Sequence, residues 1–276
     1  MNSHLKIALA QMTSTDRVAD NLAQIKNLIA QVPASENVDL FCFPENCLYL
    51  RLVEGQKIDG LDLDDSVFAE LSRLAIERKC FLHLGASPLK IAGTLYNATV
   101  LISPEGKITS PYQKIHLFDI QLQGQSPLRE SDIFKHGSKA EVVDIYGWKI
   151  GQSICYDLRF SELYSYYASQ DCDLILIPSS FLPKTGEAHW EILLRARAIE
   201  SQAYVAASAQ GGTHVGHHGG TRSTYGHSLL VDPWGLILSE ITQQPAIEVR
   251  LLSKDRIAEV RRQIPMKAHR RFDKNS

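Results

Sequence analysis

Hairpin signals set among strand-then-helix units constrain this chain most, because few folds accommodate both. Pro104-Glu105-Gly106-Lys107, Tyr146-Gly147 and Asp232-Pro233-Trp234 each separate two short β-prone runs, the pattern of an antiparallel turn. Elsewhere, apolar runs of strand length, such as Lys6 to Met12, Val38 to Phe43 and Asp173 to Pro178, alternate with helical periodicity. Asn21 to Val32 carries Leu22, Ile25, Leu28 and Ile29 on one face; Asp64 to Lys79 carries Val67, Phe68, Leu71, Leu74 and Ala75. Ser161 to Ala168, with Ser161 as its cap, His189 to Gln202 and Lys254 to Ile264 read as three more helices. Pro183 to Ala188 reads as a loop and Gln210 to Thr224 as a Gly- and His-rich stretch. A single doubly wound sheet has little room for so many hairpins. The pattern predicts an α/β chain with two mixed sheets packed face to face and helices outside.

Composition narrows the classes of function. At 44% hydrophobic and 22% charged residues, with no linker-like stretch, the expectation is one domain over 1–276 with a large core. A basic tail from about residue 265 is expected to lie on the surface or on a neighbouring subunit. Net charge is -2 with no Lys/Arg-rich run, which argues against nucleic acid as a partner. No apolar stretch reaches the roughly 18 residues of a membrane span, and Met1 to Lys6 lacks a signal-peptide pattern. The five cysteines, Cys42, Cys47, Cys80, Cys155 and Cys172, are odd in number and irregularly spaced. That argues against a disulfide framework and fits a cytoplasmic, reducing location.

Three apolar runs end in a short polar element: Phe43-Pro44-Glu45-Asn46, Tyr112-Gln113-Lys114-Ile115-His116-Leu117 and Ile154-Cys155-Tyr156-Asp157. A carboxylate, an ammonium and a thiol at strand ends can share one sheet edge, where sites form. Glu45 and Lys114 could equally be an ordinary ion pair, and Cys155 a buried structural thiol. Cys155 stands at a strand-to-helix junction, where a helix N-terminus favours the thiolate.

Together, Phe43-Pro44-Glu45, Tyr112-Gln113-Lys114-Ile115-His116-Leu117-Phe118 and Ile154-Cys155-Tyr156-Asp157-Leu158-Arg159-Phe160 resemble, in order, the three signatures of the nitrilase superfamily, the carbon–nitrogen hydrolases. The likeness runs from Lys6 to about Arg271. It implies a four-layer α-β-β-α sandwich that pairs through helices into a homodimer or higher homo-oligomer. It also implies Cys155 as nucleophile, Glu45 as general base and Lys114 as stabiliser of the oxyanion, joined there by the backbone N–H of Tyr156. A second glutamate between the Lys and the Cys is typical of the family; Glu130 matches, and Glu141 is the weaker candidate. No metal or organic cofactor is implied.

Further stretches resemble the branch that contains deaminated glutathione amidase and omega-amidase. These are His116 to Ile120, Gly124 to Pro127 with Glu130 to Asp132, and Thr185 to Glu200. Ala209-Gln210, Tyr225 to Ser228, Val231 to Gly235 and His269 to Arg271 lean toward the first of these. Ser161 and Glu187 depart from the pattern, each standing where proline is usual. The implied substrate is a small keto-acid amide. Its carboxylate needs a cation, and Arg159 is the candidate, since guanidinium pairs with carboxylate bidentately. An ion pair from Arg159 to Asp157 or Glu162 is the alternative. Thr185 and Tyr49 are further candidate substrate contacts.

Two rival functions stand beside this one: a Cys–His hydrolase using Cys155 with His189 or His116, and a non-catalytic scaffold. His214, His217 and His218 form a possible metal-binding loop, although solvated loops of this composition are commoner. Cys42 reads as core and Cys47 as close to the pocket. The helix from His189, in which charged pairs such as Glu191 and Arg195 mix with Trp190, Leu193 and Leu194, suits a subunit interface or a core.

Overall fold

The computed structural model describes residues 2–53, 55–121, 128–217, 219–242 and 244–271. The first part of the chain forms β1 (His4–Gln11), α1 (Val18–Gln31), β2 (Leu40–Cys42), α2 (Ser66–Arg78), β3 (Phe81–Ile91), β4 (Thr94–Ile102) and β5 (Ile108–Thr109). Next come β6 (Asp119–Ile120), β7 (Leu128–Arg129), β8 (Val142–Ile145), β9 (Trp148–Gln152), α3 (Ser161–Ser169), β10 (Leu174–Leu176) and α4 (Pro183–Ser201). The remainder is β11 (Tyr204–Ala207), β12 (Gly211–Val215), β13 (Thr221–Tyr225), β14 (Ser228–Val231), β15 (Ile237–Ile241), β16 (Ala246–Ser253), α5 (Lys254–Gln263) and α6 (Met266–His269).

Two six-stranded sheets result, in the orders β16-β1-β2-β3-β4-β5 and β15-β14-β11-β10-β9-β8. Strands buried on both faces send alternate residues to different cores. On β1, Leu5, Ile7 and Leu9 face the second sheet, while Ala8 and Ala10 face α1 and α2. On β10, Leu174 and Leu176 meet the first sheet, while Ile175 packs with Trp190, Leu194 and Tyr164 of the outer helices. Three apolar layers therefore separate four layers of secondary structure, a mixed α/β sandwich in the order α-β-β-α. Each fully buried Leu or Ile contributes roughly 1.5–3 kcal/mol to this stacking.

Parallel strands occupy the middle of both sheets: β1, β2 and β3 in one, β9, β10 and β11 in the other. Single parallel bridges extend their carboxyl ends, Glu45 with Ala86, Ser179 with Ala209 and, between the sheets, Met12 with Gln210. Gly85 permits the close approach here, because a Cβ would lie 2.2 Å from both the Phe43 carbonyl oxygen and Pro178. The residues after β2 and after β9 are thereby brought to one edge of the sandwich.

Several local expectations are corrected. Pro183 to Ala188 is helical: Pro183 opens α4 at its first position, where a missing N–H costs nothing. Gln210 to Thr224 holds the hairpin of β12 and β13. The strand before Cys155 ends at Gln152, and Ser161 is the first residue of α3 instead of its cap, with Phe160 before it and no side-chain cap bond. The run Cys80 to Ala86 reads in the sequence as a strand of its own, yet β3 continues past Ala86 to Ile91 through a register shift between Leu84 and Ser87. Residues 124–127 of the branch motif, His218 and the last five tail positions lie outside the described residues.

Candidate active site

Each polar element after an apolar run is held by backbone pairing before its side chain does anything. Asn46 donates its N–H to Ala86 O at 2.8 Å, and Gln210 Nε2 donates to Glu45 O at 2.9 Å, fixing the Glu45 backbone. Lys114 N–H donates to Asn97 O at 2.9 Å and its carbonyl accepts from Gly137 N at 2.7 Å. Cys155 N–H donates to Pro178 O at 2.9 Å. Cys155 has φ of 50°, a left-handed backbone that costs on the order of 1 kcal/mol for a non-glycine residue. It starts a five-residue 3₁₀ turn, Cys155–Arg159, that precedes α3.

The side chains converge on one cavity. Its lining includes Glu45, Lys114, Glu130, Cys155 and Tyr156, together with Tyr49, Arg159 and Thr185. Glu45, Lys114 and Cys155 are 3%, 2% and 7% exposed. Lys114 Nζ lies 2.9 Å from Glu45 Oε1 and 2.8 Å from Glu130 Oε2. Glu130 Oε2 also accepts from Phe118 N at 2.7 Å. Glu141 is absent from the lining; it precedes β8, where its carbonyl accepts from Gln152 N. Cys47 is buried but also absent from the lining, while Cys42 packs between the sheets.

Burial alone would strip Lys114 of its proton. The carboxylates of Glu130 and Glu45 outweigh that and hold its pKa well above the ordinary lysine range. The Cys155 thiol moves the other way from what its junction position suggests. Burial and then the Glu45 charge push it well above the ordinary thiol range, while Lys114 and the Ser180 N–H only partly counter. A 3₁₀ turn is too short to offer a full helix dipole. The resting sulfur is therefore a thiol that shares the cavity with the Glu45 carboxylate, and a base can take its proton as it attacks. This predicts that the rate constant for Cys155 alkylation by iodoacetamide, followed by intact mass, keeps rising by about tenfold per pH unit through about pH 9.5. A raised thiol pKa delays the thiolate to higher pH, whereas an ordinary thiol titrates at about 8.5 and levels off above it. A plateau reached by about pH 9.5 contradicts the raised thiol.

Asp157 joins the Lys114 segment to the Cys155 turn. Its Oδ2 accepts from Ile154 N at 2.9 Å and Tyr112 Oη at 2.7 Å. Its Oδ1 accepts from His116 N at 2.9 Å and lies 2.7 Å from His116 Nδ1. Asp157 is thus spent on this clasp, and neither ion pair weighed for Arg159 forms. Arg159 instead places Nη1 3.1 Å from His189 Nδ1 and lies over the rings of Tyr156 and Phe181. Both histidines of the Cys–His rival are committed elsewhere, His189 to Arg159 and His116 to Asp157. The histidine loop is likewise spoken for. His214 is buried between Ser14 O and Thr224 Oγ1, and burial pushes its pKa down to about 4. His217 pairs with Asp20.

Two cavity residues escape a reading of the sequence. Asn97, buried on β4, donates from one Nδ2 to Glu45 Oε1 at 2.9 Å and Glu130 Oε1 at 2.8 Å. A lone amide inside the apolar run Thr94–Ile102 was the available signal. Arg222, on β13, sits in a stretch without periodicity and gave none.

The arrangement can deprotonate a thiol, meet a developing oxyanion with a fixed cation and exclude most water. Comparison with known proteins gives it a family. Residues 6–262 match the model of the family described as carbon-nitrogen hydrolase. The chain belongs to the carbon–nitrogen hydrolases. It is similar to the deaminated glutathione amidase of Dictyostelium discoideum, 36% identical over 99% of this chain and 96% of that protein. It is also similar to the omega-amidase NIT2 of Mus musculus, 33% identical over 98% of this chain and 96% of that one. Among solved structures, the Caenorhabditis elegans NitFhit protein superposes with a TM-score of 0.87 at 32% identity. That match covers 98% of this hydrolase and 66% of the longer chain. The protein is an amidase of the nitrilase superfamily.

Proposed function

We propose that this amidase hydrolyses small keto-acid amides, deaminated glutathione first among them, through a thioester on Cys155. The observation that carries the reading is the charge of the cavity. Five cations, Arg51, Lys114, Arg129, Arg159 and Arg222, line it against two carboxylates, Glu45 and Glu130. A cationic pit in a chain of net charge -2 favours an anionic substrate. The names of the relatives support the same class.

In this reading Glu45 takes the thiol proton as sulfur attacks the amide carbon. The oxyanion meets the Lys114 ammonium and the Tyr156 N–H, which has no acceptor among the described residues; such a donor is worth roughly 3 kcal/mol. Glu45 then hands the proton to the departing amine and later activates the water that cleaves the thioester. Glu130 keeps Lys114 charged and, through Asn97, holds Glu45 in register. Arg159 takes the keto-acid carboxylate, with Thr185 and Tyr49 closing the pocket. The exposed Ile192 and Ile199 of α4, beside Trp234 and Leu236, support a homodimer paired through this face. Five free cysteines suit a cytoplasmic location.

The test is release of 2-oxoglutarate, the shared acid product, from deaminated glutathione and from α-ketoglutaramate. The expected result is turnover of both, with a higher kcat/KM for the first. Arg159→Lys should raise KM for both by about tenfold, since a bidentate clasp becomes a point charge. No keto-acid release from either compound would refute the substrate class, and an unchanged KM would remove Arg159 from the clasp.

A further inference from the structure

Arg222 is one of three cavity cations, with Arg51 and Arg129, that the mechanism leaves unused. Its β13 neighbour Thr224 and its cross-strand partner His214 are buried and hydrogen-bonded to each other, so the inward face of this hairpin is rigid. The hairpin also rests on the chain after Tyr49. A Cβ at Gly220 would lie 2.6 Å from Leu52 O, which puts the strand carrying Arg222 against the segment carrying Arg51. Both guanidinium groups line the cavity, and among the described residues neither has an ion-pair partner. Burial lowers the Arg222 pKa, partly offset by Glu45 and Cys155, with Arg51 adding repulsion and Glu130 attraction. Two neighbouring guanidiniums that no described carboxylate pairs directly leave a desolvation cost that a bound anion would remove.

Arg159 lies elsewhere in the cavity, against His189, Tyr156 and Phe181. It sits on the same turn as the nucleophile, where the acyl half of a substrate is held. Arg222 instead enters the cavity from β13, beside the segment that carries Arg51, and shares it with Glu45 and Glu130, past which the amine departs in the proposed cycle. We propose that Arg222, supported by Arg51, is a second anion site that binds a carboxylate on the amine half of the substrate. Resting on the proposed keto-acid amide reading, this makes the preferred substrate a dianion with one carboxylate on each side of the scissile amide. A peptidyl amide ending in a free carboxylate has that form; a primary amide such as α-ketoglutaramate does not.

The experiment compares deaminated glutathione with the same compound capped as its glycine N-methylamide, which removes one charge and leaves the scissile bond unchanged. Both are assayed with wild type, Arg222→Gln and Arg222→Lys. For wild type, capping should lower kcat/KM by about 10–100-fold, mostly through KM, the range expected for one charge-assisted contact. For Arg222→Gln, capping should cost less than about threefold, because the partner of that carboxylate is gone. Arg222→Lys should fall between. Equal rates for the two compounds with wild type would overturn the proposal without relying on any variant folding. So would an Arg222→Gln enzyme that still loses as much on capping as wild type does, since Arg222 would then be acting on the thiol–carboxylate pair. Failure to hydrolyse either compound would instead defeat the substrate reading beneath it.

Discussion

Glu45→Gln should lower kcat for keto-acid amides by about 10³–10⁴-fold with little change in melting temperature. General base catalysis by a placed carboxylate contributes about 10²–10⁴-fold per step, and Glu45 serves both acylation and deacylation in the proposed cycle. The substitution keeps size and one acceptor oxygen, so the contacts from Lys114 and Asn97, both at 2.9 Å, have a partial substitute. The protonated resting thiol makes the loss severe, because no standing thiolate waits to attack once the base is gone. Cys155→Ala should show no turnover above background. The measurement is 2-oxoglutarate release over hours at high enzyme concentration, with circular dichroism as the folding control. Turnover within tenfold of wild type in either variant would dismiss these residues as base and nucleophile.

The second large effect falls on stability. Lys114→Met removes the cation that Glu45 and Glu130 share at 2.9 and 2.8 Å and leaves two buried carboxylates facing each other. Breaking a buried charge set in this way costs about 3–5 kcal/mol. For a chain of this size that corresponds to a melting temperature lower by roughly 6–20 °C. Acidification should narrow the gap, since protonating one carboxylate relieves the repulsion that lysine had neutralised. The check is a pair of thermal melts at neutral and mildly acidic pH. A variant as stable as wild type at pH 7 would mean that Lys114 is not what reconciles the two glutamates to burial.

The elements legible in the sequence were those with a one-dimensional signature. Glu45, Lys114 and Cys155 stood out because a charged or nucleophilic side chain directly after an apolar run interrupts a simple pattern. The layered architecture was readable because hairpin turns set among strand-helix units leave few arrangements other than two mixed sheets with helices outside. Asn97 was hidden inside a strand whose apolar neighbours dominate, and its value lies in two carboxylates distant in sequence. Arg222 belongs to a glycine-rich hairpin whose conformation depends on contacts with Leu52 and Asp16. The Cys155 thiol shows a different limit. Junction position and helix proximity are local, whereas the desolvation that sets Cys155 is imposed by both sheets at once. An ion pair from Arg159 to Asp157 or Glu162 was the alternative that closeness in sequence offered, but the donors that claim Asp157 are Tyr112 and His116.

Because Glu45, the proposed base, extends from one sheet and the Cys155 sulfur from the other, neither half of the sandwich carries the proposed chemistry alone. A nascent or partly melted chain exposes an ordinary cysteine without a matched carboxylate, so hydrolytic power switches on only at the final docking of the two layers. Loss of turnover in mild denaturant should therefore track separation of the Leu5–Ile7–Leu9 layer from Leu174 and Leu176, ahead of any unravelling of the outer helices.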